Sequence, residues 1–224
     1  MMKGMVIMSL QTGLYVLPSP QEIIEYDGIY TLSFKGSIVI NKNCEVAVNH
    51  YGKILKEDIF FYTGFSLPIL RGNLIENGIY MSKDSSLNEQ EYILLIEPNM
   101  ITIKGGDEAA ILYGVQTLRQ IISQKGAVLP CLSIHDFPGI KTRGFYHDVT
   151  RGRIPTLSFL KSLADKLSYY KINQLQLYIE HSYLFKDLSE VWRDDTPLTA
   201  EEIMELDEYC ARLNIDLVPS LSSF

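Results

Sequence analysis

The sequence predicts an α/β protein in two parts: a mixed α/β domain, then a β-α-β-α-β run of the kind that builds a parallel sheet or barrel. Three observations carry this. Two apolar stretches, Glu91–Glu97 and Met100–Lys104, meet at Pro98-Asn99, where proline supplies the fixed φ that a turn wants. A long amphipathic helix follows Asp107, with Ile111, Leu112, Val115, Leu118, Ile121 and Ile122 on one face. Beyond Arg143, short apolar strands alternate with helical periods.

Taken in order, Leu14 to Ile134 reads as mixed α/β. Ile29–Phe34 and Ser37–Ile40 read as strands joined in a hairpin at Lys35-Gly36. Glu45–Leu55 reads as a helix of irregular period, with Val46, Val48 and Ile54 apolar. Phe65–Leu70 is a strand or a loop that ends near Gly72-Asn73, and Gly78–Ser82 is a strand. Gly105-Gly106 breaks the strand before the long helix. Asp107 is placed to cap that helix and Gly126 to stop it. A short linker then leads into the second part. Gly144–Val149 is a strand, and Thr156–Tyr170 is a helix with Leu157, Leu160, Leu163 and Leu167 on one face. Gln174–Ile179 is an alternating strand. Thr199-Ala-Glu-Glu202 forms a capping box for a helix to Leu213, and Ile215–Val218 is a third strand. The expected domains are 14–135 and 136–224.

Composition narrows the function classes. The chain has 224 residues, 46% of them hydrophobic and 21% charged, enough for one or two cored domains. A net charge of −7 argues against nucleic acid as a partner. No stretch approaches the roughly 20 apolar residues of a membrane span. The opening MMKGMVIMSLQTGLYVLPSP is broken by Gly4, Ser9, Gln11, Thr12 and Gly13 and shows no small-residue cleavage site, so a cytoplasmic protein is expected. Cys44, Cys131 and Cys210 are far apart and form no CxxC pair, which suits free thiols. His50, His135, His147 and His181 lack metal-ligand spacing, and no metal is expected. Neither a phosphate-binding glycine loop nor a GxSxG elbow is present.

Several residues stand where chemistry is usual. Arg143 precedes the first strand of the second part; its guanidinium suits vicinal hydroxyls, or an ion pair with Asp136 or Asp148. Asp148 ends that strand, as a functional group or as a cap or partner for Arg151 or Arg153. Glu180 and His181 end the second strand, suited to acid–base or positioning work, or to pairing with neighbours. Trp192 is the only tryptophan, in the loop Glu190-Val-Trp-Arg-Asp-Asp195, where it either stacks on a ligand or packs.

The order Ile134-His-Asp-Phe-Pro138, Thr142-Arg-Gly144, an apolar strand, then Asp148-Val-Thr-Arg151 resembles the domain junction of family 20 glycoside hydrolases, the β-N-acetylhexosaminidases. Ile215-Asp-Leu-Val-Pro-Ser220 resembles their third strand. The resemblance implies a zincin-like accessory domain, followed by the first β-α-β-α-β portion of a (β/α)8 barrel. It implies hydrolysis of terminal β-linked N-acetylglucosamine or N-acetylgalactosamine, with retention and no cofactor. In that route a glutamate protonates the leaving oxygen and an adjacent aspartate orients the substrate's acetamido group, which is the nucleophile. It assigns Arg143 to the hydroxyls of the terminal sugar, and sugar stacking suits Trp192. The strand NQLQLYIEHSYLF departs from the family's Asn-x-Leu-His-Leu-His-x-Thr-Asp-Asp-Gln. Gln176 and Tyr178 stand for the two histidines, and Glu180, His181 and Ser182 fall near Thr-Asp-Asp. That departure leaves the substrate open.

Asp107-Glu108 opens a helix and Asp207-Glu208 sits within one, so no catalytic pair is expected in this chain. In the family it follows the fourth strand. A complete barrel takes roughly 250 residues, and only about three of its eight strands are expected after Arg143. An open sheet edge of that kind invites self-association. The alternatives are a non-catalytic accessory fragment and a barrel hydrolase for sugars lacking the acetamido group.

Overall fold

The computed structural model describes residues 13–73, 76–188 and 196–221. Two compact units divide between Pro138 and Gly139.

The first unit is a mixed sheet with helices. Its elements are β1 (Glu22–Thr31), β2 (Ile38–Ile40), α1 (Val48–Thr63), β3 (Ile69–Arg71), β4 (Ile79–Lys83), β5 (Tyr92–Glu97), β6 (Met100–Gly105), α2 (Glu108–Lys125) and β7 (Val128–Asp136). The seven strands lie in the order β1-β7-β5-β6-β4-β2-β3. Pairing is antiparallel from β1 to β6 and parallel from β6 to β3. The β5–β6 hairpin forms at Pro98-Asn99, with Glu97 opposite Met100. Alternation buries Tyr92, Leu94 and Ile96 of β5 and Ile101 and Ile103 of β6 in the core. Helix α2 packs on these strands and on α1. Asp107 caps it, accepting from the Ala110 amide at 2.7 Å. Two glycines permit close approaches here, Gly114 of α2 against the sheet and Gly106 against the backbone before β5. A Cβ at Gly106 would stand 1.9 Å from the Asn88 carbonyl oxygen, and one at Gly114 would stand 2.6 Å from Cγ2 of Ile103.

Two expectations fail here. The hairpin at Lys35-Gly36 does not form. β1 starts at Glu22 and pairs with β7 at one edge, whereas β2 pairs with β3 and β4 near the other. The segment after the long helix is no linker: Val128–Asp136 is a strand between β1 and β5. Pro130 is tolerated there because it faces Ile29 of β1, and pairing with β5 begins only at Leu132. Helix α1 also runs later than expected, ending at Gly64 with φ 76°.

The second unit holds β8 (Gly144–Asp148), α3 (Leu157–Tyr169), β9 (Gln174–Ile179), α4 (Ala200–Arg212) and β10 (Asp216–Leu221). The strands form a parallel sheet in the order β10-β9-β8. Thr156 caps α3, and Thr199 with Glu202 closes the capping box of α4. The helices pack together, tied by Lys161–Glu205 at 2.5 Å and Tyr209–Asp165 at 2.8 Å. In β9, Leu175, Leu177 and Ile179 are buried. The ring of His147, in register with Leu177, contacts Phe159 of α3, which puts the helices on that face. Tyr146 pairs with Gln176 and Asp148 with Tyr178 on the opposite face.

Candidate functional site

Parallel strands all end at the same edge of their sheet, and the loops leaving that edge gather side chains from separate parts of the chain. Here β8 delivers Asp148 and β9 delivers Tyr178, with Glu180 following. The turn after β8 is set by Asp148. Its Oδ1 accepts from the Thr150 amide at 2.8 Å and from the Thr150 hydroxyl at 2.6 Å. These bonds, the hydroxyl's first, hold the Asp148 carboxyl below its ordinary range.

That turn brings Arg151 back over the sheet edge. Its Nη1 donates to Glu180 Oε2 at 3.0 Å and its Nη2 to Glu180 Oε1 at 3.2 Å, a two-pronged pair. Nη1 also donates to the Thr150 hydroxyl at 2.8 Å. The Tyr178 hydroxyl donates to Glu180 Oε1 at 2.6 Å. Arg151 first, and then Tyr178, push the Glu180 carboxyl down to about 2. Glu180 in turn raises the Arg151 pKa. Nε of Arg151 faces Asp148 Oδ2 at 3.8 Å, too long for a hydrogen bond. His181 Nδ1 stands 3.9 Å from Glu180 Oε2. The side chain of Arg151 remains 62% exposed, so this cluster is open to a ligand.

The structure thus brings together Asp148, Glu180 and His181. It places Arg143 elsewhere. That residue precedes β8, at the edge opposite Asp148. Its Nε donates to the Lys171 carbonyl at 2.7 Å, and its Nη1 donates to the carbonyls of Ile140 and Lys141, both at 2.9 Å. These bonds from Nε and Nη1 to main-chain oxygens suit a brace. Trp192 lies outside the described residues. A carboxyl that Arg151 and Tyr178 push down to about 2 is ionised at neutral pH, which suits Glu180 to positioning.

Two members of the cluster were not singled out as ligands from sequence, Arg151 and Tyr178. Arg151 was legible as the residue that follows β8, at the edge where parallel sheets keep functional groups. Of the two Asp-Glu pairs, Asp107 is the cap of α2 and Glu108 meets Lys83 at 3.0 Å. Asp207 and Glu208 lie inside α4, where Glu208 meets Arg212 at 3.3 Å. Neither pair follows a strand of the parallel sheet β10-β9-β8. Among the described residues no cluster of three or more His, Cys, Asp or Glu could hold a metal ion. Among the same residues no helix is long and apolar enough to cross a membrane.

Comparison with known proteins gives a family. Among curated relatives, the beta-hexosaminidase of Akkermansia muciniphila is 29% identical over 157 residues, covering 61% of this chain and 32% of that protein. Beta-hexosaminidase subunit A1 of Dictyostelium discoideum is 24% identical over 225 residues, covering 93% of this chain and 42% of that protein. The chain therefore spans less than half the length of these relatives. Among solved structures, Flavobacterium johnsoniae chitobiase matches with a TM-score of 0.79 at 23% identity, over 94% of this chain and 35% of that one. The GH20 beta-N-acetylhexosaminidase of Streptomyces coelicolor A3(2) matches with a TM-score of 0.78 at 21% identity, over 91% of this chain and 45% of that one. These two show a shared fold. The model described as glycosyl hydrolase family 20, domain 2, matches residues 13–137, more than half of the sequence. The chain belongs to glycosyl hydrolase family 20.

Proposed function

We propose that the chain is the accessory domain, 14–135, and the opening of the catalytic domain, 136–224, of a β-N-acetylhexosaminidase-like glycoside hydrolase. In this reading the first unit is the zincin-like accessory domain. The second is the first β-α-β-α-β portion of a (β/α)8 barrel. The whole protein removes terminal β-linked N-acetylglucosamine or N-acetylgalactosamine by substrate-assisted, retaining hydrolysis. The observation that carries this, beside family membership, is the cluster at the end of β8 and β9.

A ring hydroxyl both donates and accepts. Asp148 Oδ2 is an ionised acceptor beside the exposed Arg151 donor, 3.8 Å from its Nε. A hydroxyl seated between them gives to one and takes from the other. Glu180 holds the arginine in that direction, and His181 flanks it. Trp192, which follows β9 in the sequence, is proposed as a stacking surface for the sugar. Arg143 belongs to the brace at the opposite edge. With the Glu180 carboxyl at about 2, about one molecule in ten thousand is neutral at pH 6. The proton for the leaving oxygen therefore comes from another group.

A second reading is favoured by the helical placement of both Asp-Glu pairs: the 224-residue chain alone is a non-catalytic fragment. Self-association belongs to it. The β10 edge borders an apolar cavity of about 240 Å³, lined by Leu177, Ile179, Ile203, Met204, Leu217 and Pro219 among others. A chromogenic N-acetyl-β-hexosaminide tests both readings. The full-length protein is expected to cleave it with retention, and the 224-residue chain to leave it intact. Turnover by the chain alone overturns the fragment reading. Equal cleavage of the matching β-glucoside by the full-length protein overturns the acetamido-assisted one.

A further inference from the structure

We infer that Tyr178 is a positioning residue for the sugar-reading arginine: its hydroxyl fixes Glu180, and Glu180 aims Arg151. The sugar-reading part rests on the function proposed above; the relay itself stands on geometry. Tyr178 sits in β9, a strand paired on both sides, by β8 and β10. Its backbone is the most fixed point near the cluster. Arg151 and Glu180 both lie in loops beyond strand ends. An ion pair between two long side chains on loops, one of them 62% exposed, contributes little by itself, because ordering both chains costs what the charges gain.

The phenol changes that balance. It donates to Glu180 Oε1 at 2.6 Å, the same oxygen that accepts from Arg151 Nη2 at 3.2 Å. Oε2 accepts from Nη1 at 3.0 Å and stands 3.9 Å from His181 Nδ1. Both carboxylate oxygens are therefore engaged, and the Glu180 carboxylate is held in one plane. That plane fixes the guanidinium, whose Cζ lies 5.9 Å from the centre of the Tyr178 ring. The charged and titratable groups around Glu180 are Arg151, Tyr178, His181 and, through its field, Asp148.

The test is Tyr178→Phe, which keeps the ring and removes the hydroxyl. In the isotopically labelled 224-residue chain, the Glu180 carboxyl carbon is titrated and the Arg151 guanidinium nitrogens are observed by NMR. The Glu180 midpoint, at about 2 with the phenol present, is expected to rise by about one pH unit. The two Nη signals, resolved while the carboxylate grips them, are expected to merge. Glu180→Gln provides the same release of Arg151 from the other side of the contact. An unchanged midpoint in the Phe variant, or Nη signals that stay resolved, overturns the relay. In the full-length protein, Tyr178→Phe is expected to raise KM for the hexosaminide about fivefold with kcat nearly unchanged. If the unaltered full-length protein cleaves no hexosaminide, the sugar reading falls, and the NMR result still judges the relay.

Discussion

Replacing Arg143 with alanine separates a brace from a ligand group. The guanidinium donates to the carbonyl oxygens of Lys171, Ile140 and Lys141. A hydrogen bond from a charged donor contributes about 1.5–3 kcal/mol where water cannot replace it. The Lys171 bond comes closest to that condition, since Lys171 is 4% exposed. The carbonyls of Ile140 and Lys141 accept in exposed surroundings and rebind water when the side chain is removed. The expected loss is therefore about 2–3 kcal/mol, well below the sum of three full bonds. With an m-value near 2 kcal/mol/M, the urea midpoint of the second unit falls by about 1 M. Unfolding is followed by circular dichroism on the chain, and KM is measured on the full-length protein. Arg143→Ala is expected to move the midpoint and leave KM unchanged. A variant of unaltered midpoint with a raised KM would restore Arg143 to the sugar pocket and refute the brace.

Arg151→Ala should show the reverse. Because the pair is exposed, the urea midpoint at neutral pH is expected to move far less than in Arg143→Ala, while KM in the full-length protein rises about 10–100-fold. Gly114→Ala tests the packing of α2. The new methyl group would stand 2.6 Å from Ile103 Cγ2 and 3.2 Å from the Tyr92 ring, both fully enclosed, so overpacking of about 1–3 kcal/mol outweighs the gain of about 1 kcal/mol in helix propensity. A raised urea midpoint for that variant would show that the core gives way. Acid stability checks Glu180. Its folded pKa lies below the ordinary 4.5, so its contribution is present above about 4.5 and is lost as the pH falls toward about 2. Glu180→Gln is expected to flatten that limb of the stability profile, and an unchanged limb would contradict the fixed carboxylate.

How much of this was legible depended on whether the deciding contacts were local. Helices α2 and α4 announced themselves through Asp107 and the Thr199–Glu202 box, because caps act within a few residues. The β5–β6 hairpin was readable for the same reason. Strand β1 was legible only from Ile29, because its first half, Glu22–Asp27, mixes acidic and apolar residues on a sheet edge. Pro130 concealed β7, and only the place where β5 stops pairing makes that proline tolerable. The Lys35-Gly36 turn signal was real chemistry, but β2 takes its partners from residues 69–71 and 79–81. Asp148 and Glu180 were readable as strand-end groups. The choice between Arg143 and Arg151 turned on strand direction, which the sequence already contains: one precedes β8 and the other follows it.

In the hydrolase reading proposed above, the electrostatics of the cluster suit one half of the work. A group that protonates a leaving oxygen needs a raised pKa, which comes from burial without a cation beside it. Among the described residues, the carboxyl groups whose acidity departs clearly from the ordinary shift the other way: Asp84, Glu91, Asp148 and Glu180. Each accepts hydrogen bonds, and the two at the sheet edge also face Arg151. Fixed negative charges beside a fixed positive one do not exchange protons at neutral pH. They hold a direction. In the reading proposed above, a sugar bound there would be oriented by its hydroxyls before any bond breaks, and such orientation contributes to rate only when the proton donor and acetamido group meet in the same frame. In that reading the cluster supplies the aim, and the bond-breaking group requires a different environment: a carboxyl removed from arginines and shielded from water.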